Sequence, residues 1–156
     1  MGVFMLERIV ENTIEYIESM PKKDRKKYGQ FFTSIETARY MAALFEIRKE
    51  KEKIRILDAG AGSGILSCAM VERLEGIDTI QKVEIICYET DTNVLPLLRK
   101  NLELVKKTSS KKIDIVIKED NYILSQYLDF NHMAGGNPNP PKYDIVIGNP
   151  PYMKIP

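Results

Sequence analysis

Asn149-Pro150-Pro151-Tyr152 follows directly on the apolar run Asp144-Ile145-Val146-Ile147-Gly148, and these four residues suit the task of holding a planar amino group against a methyl donor. The side-chain oxygen of Asn149 can accept one N–H of such a group, and the carbonyl of Pro150 can accept the other. Pro150 and Pro151 have a fixed φ and no backbone N–H, so the turn is stiff and its carbonyls face outward. Tyr152 adds a flat ring on which a base or an amide plane can stack. Taken alone, the segment also fits a proline-rich turn that merely closes a strand.

Two upstream segments shift the balance towards chemistry. In Ile54-Arg55-Ile56-Leu57-Asp58-Ala59-Gly60-Ala61-Gly62-Ser63-Gly64, a β-branched run stops at Asp58 and a Gly-x-Gly-x-Gly loop follows. Ile65, Leu66, Ala69, Met70 and Leu74 then recur at helical spacing. A strand, a glycine turn and a helix form the opening of a nucleotide-type crevice, where missing Cβ atoms let a ligand press on the backbone. The spacing differs from the dinucleotide fingerprint, and no phosphate-loop lysine follows. The second segment, Lys82 to Asp91, reads as a strand ending in an acid: Glu89 lies 29 residues after Gly60, at the tip of the adjacent strand. A carboxylate at that place can accept both hydroxyls of a ribose. Asp91 fits an acidic cap on the helix that follows.

The elements that must position these residues can be read from periodicity. Residues 3–20 carry Val3, Leu6, Val10, Ile14, Ile17 and Met20 as a helical stripe ended by Pro21, and the basic run Lys22 to Lys27 reads as a linker. Tyr28-Gly29-Gln30-Phe31-Phe32-Thr33-Ser34 comes next. Thr33 and Glu36 have capping-box spacing, which predicts a helix starting there with Ile35, Ala38, Ala42 and Phe45 inward. Thr33 can serve that cap, and Phe31 and Phe32 can pack in a core, without excluding a ligand contact. Strand 54–59 leads to a helix near 64–75, strand 82–89 to one near 93–106, and strand 113–118 to a short helix around 122–128. Pro96 is tolerable because it falls in the first turn of its helix. Residues 131–142, rich in Gly and Pro, read as a loop before strand 143–148. Alternating strands and helices imply a parallel sheet with right-handed crossovers.

Composition sets the outer bounds. The 156 residues suffice for one domain with a real core, and 44% hydrophobic with 29% charged residues is a globular balance. No run approaches a membrane span, and Glu7, Arg8, Glu11 and Glu15 interrupt the N-terminal stretch, so it does not read as a secretory signal. The expected location is cytoplasmic. Cys68 and Cys87 lie in apolar runs without metal-type spacing and read as buried thiols. The single His132 rules out a His-based triad or a histidine metal cluster. A net charge of +1 argues against a strong nucleic-acid surface in this chain as a whole. The run Lys22 to Lys27 could still approach a phosphate backbone, or simply be solvated. Lys106, Lys107, Lys111 and Lys112 suit the end of a helix.

The order of the segments carries a resemblance. Tyr-Gly-Gln-Phe-Phe-Thr (28–33), Asp-Ala-Gly-Ala-Gly-Ser-Gly (58–64), Tyr-Glu-Thr-Asp (88–91), Glu-Asp-Asn (119–121) and Asn-Pro-Pro-Tyr (149–152) together resemble the gamma class of DNA adenine-N6 methyltransferases of restriction-modification systems, over roughly residues 26–152. One departure is Ser34, where that class usually has proline.

The resemblance implies an α/β, Rossmann-like S-adenosylmethionine-dependent methyltransferase fold with an incomplete parallel sheet and an N-terminal helical segment. Residues 1–27 would be the helix and basic linker, and 28–156 the N-terminal part of the catalytic domain. It implies that Gln30, Phe31 and Thr33, with Tyr28 in the same segment, border the methionine and sulfonium part of the cofactor. Asp58, Gly60 and Gly62 would form the floor, with Asp58 near the cationic amino end. Glu89 would take the ribose hydroxyls and Thr90 lie beside the adenine, while Asp120 accepts from the adenine amino group and Asn121 flanks its ring. Asn149, Pro150, Pro151 and Tyr152 would hold a target adenine flipped out of double-stranded DNA. A cognate restriction endonuclease is an implied partner, and no membrane is.

Because that class has further strands and a target-recognition domain beyond Asn-Pro-Pro-Tyr, the expectation is an N-terminal portion that methylates no DNA by itself. Its exposed sheet edge at 144–147 is expected to self-associate, or to leave 131–156 poorly ordered. Ribosomal RNA adenine or protein glutamine remain alternative substrates, since related enzymes share Asn-Pro-Pro-Tyr, although segment 28–33 argues against them. A non-catalytic cofactor-binding module is the third reading.

Overall fold

Runs rich in isoleucine and valine form the strands of a parallel sheet. The computed structural model describes residues 5–126 and 141–149, without the side chains of Gln30 and Phe31. In chain order the elements are α1 (Met5–Glu18), α2 (Lys22–Phe31), α3 (Ile35–Ala43), β1 (Lys53–Ala59), α4 (Ile65–Glu75), β2 (Lys82–Tyr88), α5 (Leu95–Thr108), β3 (Lys112–Lys118) and β4 (Ile145–Ile147). The strand order is β3-β2-β1-β4. The chain therefore steps outward from β1 to β3 and then returns to the other side of β1. That reversal opens a crevice at the carboxyl ends of β1 and β4, the place where open α/β sheets bind ligands.

The strands' period-two alternation assigns each face. Ile54 and Ile56 of β1, Val83, Ile85 and Cys87 of β2, and Ile145 and Ile147 of β4 are buried in the main core with Leu66, Met70 and Leu74 of α4 and Leu98, Leu102 and Val105 of α5. α1 packs on α4 and α5, and α3 packs on α4. The opposite face holds a small cluster of Leu57, Ile86 and Tyr88 with Ala59, Tyr122 and Tyr143, including an edge-on Tyr88–Tyr122 pair at 5.0 Å. Val146, Leu57, Ile86 and Val116 align across the sheet on this face, and the two end members are 57% and 40% exposed. Among the described residues, β4 is an edge strand, three residues long rather than the expected six.

Three local expectations are corrected. Lys22 to Phe31 is a helix, not a linker. Pro21 precedes it with φ −53°, Asp24 sits in its first turn, and lysine and arginine are good helix formers without any apolar stripe. The inward face of α1 is Met5, Leu6, Ile9 and Thr13, while Ile14 is 48% exposed. Polar side chains on this side are satisfied: Asn12 Nδ2 donates to Asn101 Oδ1 of α5 at 3.0 Å, and Thr13 Oγ1 to the Ile9 carbonyl of its own helix at 2.7 Å. Finally, α3 is capped by Ser34, whose Oγ accepts the Thr37 N–H, and not by Thr33. Ala38 and Ala42 are buried as expected, with Ile35 and Phe45 against the core. α4 and α5 begin and end within two residues of the predicted bounds, and the end of the helix expected around 122–128 lies outside the described residues. The expectations for 131–140 and for the end of the chain lie outside the described residues.

Candidate functional site

Four loops meet at the carboxyl edge of the sheet: 60–64 after β1, 89–94 after β2, 119–121 after β3, and 148–149 after β4. Gly60 (φ +107°), Gly62 (φ +54°) and Gly64 (φ +85°) all lie in the left-handed region. At Gly60 a Cβ would meet nothing within 4 Å, so the backbone there is open to a ligand. Gly64 serves packing instead, because a Cβ would come within 3.1 Å of Leu98 Cδ1. The Gly60 and Ala61 N–H groups both donate to the Tyr88 carbonyl, at 2.8 and 3.0 Å, which fastens the loop to the end of β2.

Glu89 joins two of these loops. Its Oε1 accepts the Gly62 N–H at 2.7 Å, and its Oε2 accepts the Asp91 N–H at 3.0 Å. Each carboxylate oxygen has a second lone pair, so both remain able to accept a hydroxyl. Asp91 does not cap α5, whose N-cap is Val94; it closes the turn before that helix, its Oδ1 accepting the Asn93 N–H at 2.9 Å and its carbonyl the N–H groups of Val94 and Leu95. Its other oxygen receives the Tyr28 hydroxyl from α2 at 3.0 Å, and that bond raises the Tyr28 pKa above its ordinary value. Tyr16 of α1 donates to the Asn93 carbonyl. Both N-terminal helices are thus tied to the loop that carries Glu89.

Asp58, in register between Cys87 and Ile147, is fully buried. Its Oδ2 accepts the Ser67 hydroxyl of α4 at 2.9 Å, whereas its Oδ1 is buried without a hydrogen-bond partner among the described residues. Burial pushes its pKa up to about 7; the Glu89 charge adds to this, and the Ser67 bond opposes it. A buried acceptor without a donor costs roughly 1–3 kcal/mol, so this oxygen has a reason to meet a cation.

Thr33 and Asn149 meet in space. Asn149 Nδ2 donates to Thr33 Oγ1 at 2.9 Å across 116 residues of sequence. The neighbouring Phe32 ring lies 3.9 Å from where a Gly62 Cβ would be. The segment before α3, the glycine loop and the end of β4 therefore converge. Asp120 and Asn121 are exposed, and Asn121 Oδ1 caps the helical turn 122–126 by accepting the Leu124 N–H at 3.0 Å. Thr90 is exposed beside Glu89. The side chains of Gln30 and Phe31, and all of Pro150, Pro151, Tyr152 and His132, lie outside the described residues.

Periodicity did not reveal Asn101. It is fully buried on α5 among Leu98, Leu102 and Val105, and its Nδ2 donates to the Ser63 carbonyl of the glycine loop at 2.8 Å. Asn12 completes the chain from α1. A polar residue on an apolar stripe is the only signal the sequence offers for it. Asn101→Ala is expected to lower stability by about 1–3 kcal/mol, because the Ser63 carbonyl and the Asn12 amide both lose a buried partner. Denaturant unfolding of the variant checks this.

No group of three or more His, Cys, Asp or Glu residues among the described residues could hold a metal ion. Cys68 and Cys87 are buried free thiols, pushed up in pKa chiefly by burial. A cavity of about 260 Å³ bounded by Arg48, Lys51, Tyr143 and Asp144 lies at the opposite, amino edge of the sheet, away from all of these loops.

Comparison with known proteins fits this arrangement. The N-6 DNA Methylase family matches residues 7–155. The chain is 32% identical over 136 residues to the Type II methyltransferase M.BsuBI of Bacillus subtilis, covering 85% of this chain and 26% of that protein. It is 34% identical over 140 residues to the Type II methyltransferase M.PstI of Providencia stuartii, covering 84% and 25%. The chain thus spans about a quarter of the length of these relatives. A Listeria monocytogenes structure described as a class I S-adenosylmethionine-dependent methyltransferase superposes with a TM-score of 0.52 at 19% identity, over 76% of this chain and 31% of that one, which supports the fold. The family match spans nearly the whole chain, and the chain belongs to the N-6 DNA methylase family.

Proposed function

We propose that this chain forms the cofactor-binding side and the amino-group acceptor of a DNA adenine-N6 methyltransferase, which transfers a methyl group from S-adenosylmethionine to an adenine flipped out of duplex DNA. The observation that carries the reading is the convergence of Asn149, Thr33 and the glycine loop at the topological switch point.

The residues present fit that cofactor. Asp58 offers a buried acceptor without a partner among the described residues for a cationic amino group, Gly60 leaves open backbone, and Glu89 retains acceptor capacity for ribose hydroxyls. Gln30, Phe31, Thr90, Asp120 and Asn121 complete the set by resemblance. When bound, the cofactor supplies an electrophilic methyl group.

The chain's own part is positioning. The adenine amino nitrogen is a weak nucleophile because its lone pair is delocalised into the ring. Asn149 Oδ1 and the Pro150 carbonyl accept its two N–H bonds, which favours a more pyramidal nitrogen and stabilises the charge that develops on it. Tyr152 supplies a stacking surface, offsetting part of the few kcal/mol lost when the base leaves the duplex. The cations of α2 (Lys22, Lys23, Arg25, Lys26 and Lys27) are exposed, and none forms a salt bridge among the described residues. That suits an approaching phosphate backbone.

A cognate endonuclease, and pairing of the exposed β4 edge with another strand or a second copy, belong to the same proposal. So does a cytoplasmic setting; no helix among the described residues is long and apolar enough to cross a membrane.

Asp58 gives this reading a pH signature. Its folded pKa of about 7 is raised above the unfolded value, so the folded chain holds a proton that the unfolded chain releases. Without ligand, stability is expected to fall as pH rises from about 4 to 7 and then level off. A cationic group at Oδ1 favours the carboxylate, so cofactor binding expels that proton. Affinity is expected to rise by up to about tenfold per pH unit between pH 5.5 and 7, and Asp58→Asn should flatten the profile. Calorimetry in buffers of different ionisation enthalpy reads the released proton, and binding without proton release would remove Asp58 from the site.

A further inference from the structure

The sequence resemblance gives Thr33 to the cofactor, yet its hydroxyl oxygen accepts the Asn149 side-chain NH2 at 2.9 Å. It is not engaged in capping α3, because Ser34 does that. An amide side chain has one acceptor end and one donor end, and a half-turn about its last torsion exchanges them with little change in shape. Only one orientation suits a target amino group: the oxygen must face the substrate, since an NH2 facing an NH2 is repulsive. Thr33 Oγ1, as an acceptor, binds the donor end and leaves Oδ1 unpartnered among the described residues. In the structure the hydroxyl oxygen accepts, so this bond holds the amide in the productive orientation.

We infer that Thr33 is a positioning residue for methyl transfer, which fixes the Asn149 amide with its oxygen towards the substrate amino group. The inference rests on the function proposed above, in that Asn149 must be the acceptor for the target nitrogen. The geometry assigns the role to this residue because Thr33 is anchored from both sides. Phe32 lies against Gly62 of the glycine loop, and Ser34 begins α3, whose Ala38 and Ala42 are buried in the core. The hydroxyl is thus presented by a fixed stretch of backbone. That is what an orienting group needs if it is not to follow the amide as it turns.

Thr33→Val keeps the volume and removes the acceptor, whereas Thr33→Ser keeps it. In the natural polypeptide that contains this chain, Thr33→Val is expected to lower the single-turnover rate of methyl transfer by roughly 3- to 10-fold, the worth of one ordinary hydrogen bond. The dissociation constant for S-adenosylmethionine should stay within about twofold, and Thr33→Ser should restore the rate. A loss of cofactor affinity that matches the loss of rate would overturn the inference in favour of a direct cofactor contact. An unchanged rate in Thr33→Val, or no rescue by serine, would overturn it as well.

A second readout needs no turnover. In the 156-residue chain labelled with 15N at asparagine, the Asn149 side-chain amide signals should shift and broaden in Thr33→Val and return in Thr33→Ser. Unmoved signals would overturn the inference. Signals that move as expected, in a natural polypeptide inactive on DNA, would overturn the proposed function and the catalytic role of the bond with it.

Discussion

Asn149→Ala is expected to slow methyl transfer by roughly 100-fold or more in the natural polypeptide that contains this chain, the effect of deleting one hydrogen-bond partner matched to a transition state. The side chain sits just past β4, beside β1, and its amide is tied to Thr33. Truncation removes the acceptor but disturbs neither the glycine loop nor Glu89. Cofactor affinity should therefore change far less than the rate, and the loss should persist at saturating substrate. Single-turnover kinetics with pre-bound cofactor separates the two effects. An Asn149→Ala enzyme with near-normal turnover would refute the acceptor role.

Glu89→Ala is expected to weaken cofactor binding by about 1.5–3 kcal/mol, roughly 10- to 150-fold. Two losses combine in that range. The ribose hydroxyls lose their acceptor, and the N–H groups of Gly62 and Asp91 lose the carboxylate that now holds both loops. Glu89→Gln separates them in part, because its amide has one acceptor oxygen for two backbone donors and must turn an NH2 towards one of them. Its affinity should fall between the other two. Titration calorimetry of this chain measures all three, and unchanged affinity in Glu89→Ala would remove Glu89 from the site.

Elements with strong periodicity and marked ends could be read from the sequence. β1 to α4 was legible because a β-branched run meets three glycines and then an apolar helical stripe, and every residue of that stripe is buried. Glu89 was legible from its place at the end of β2. Residues whose roles depend on distant partners were not. Thr33 has the capping-box spacing, yet Ser34 caps α3 while the Thr33 hydroxyl bonds Asn149, 116 residues away, a partner that spacing cannot show. Asn101 breaks an apolar stripe, and only the Ser63 carbonyl explains why. α2 read as a linker because its residues 22–29, none of them buried, carry no apolar stripe to detect. Asp91 holds the turn before α5 rather than the N-cap expected of it, and its bond to Tyr28 depends on where α2 lies.

The most direct measurement is the identity of the methylated product. The natural polypeptide containing this chain is incubated with methyl-labelled S-adenosylmethionine and duplex DNA, and with structured RNA and glutamine-containing peptides in parallel. The products are digested and separated by mass spectrometry. Label in N6-methyladenine from duplex DNA, lost in Asn149→Ala, is the predicted result. Label confined to RNA or peptide, or found on another base of DNA, would contradict the account.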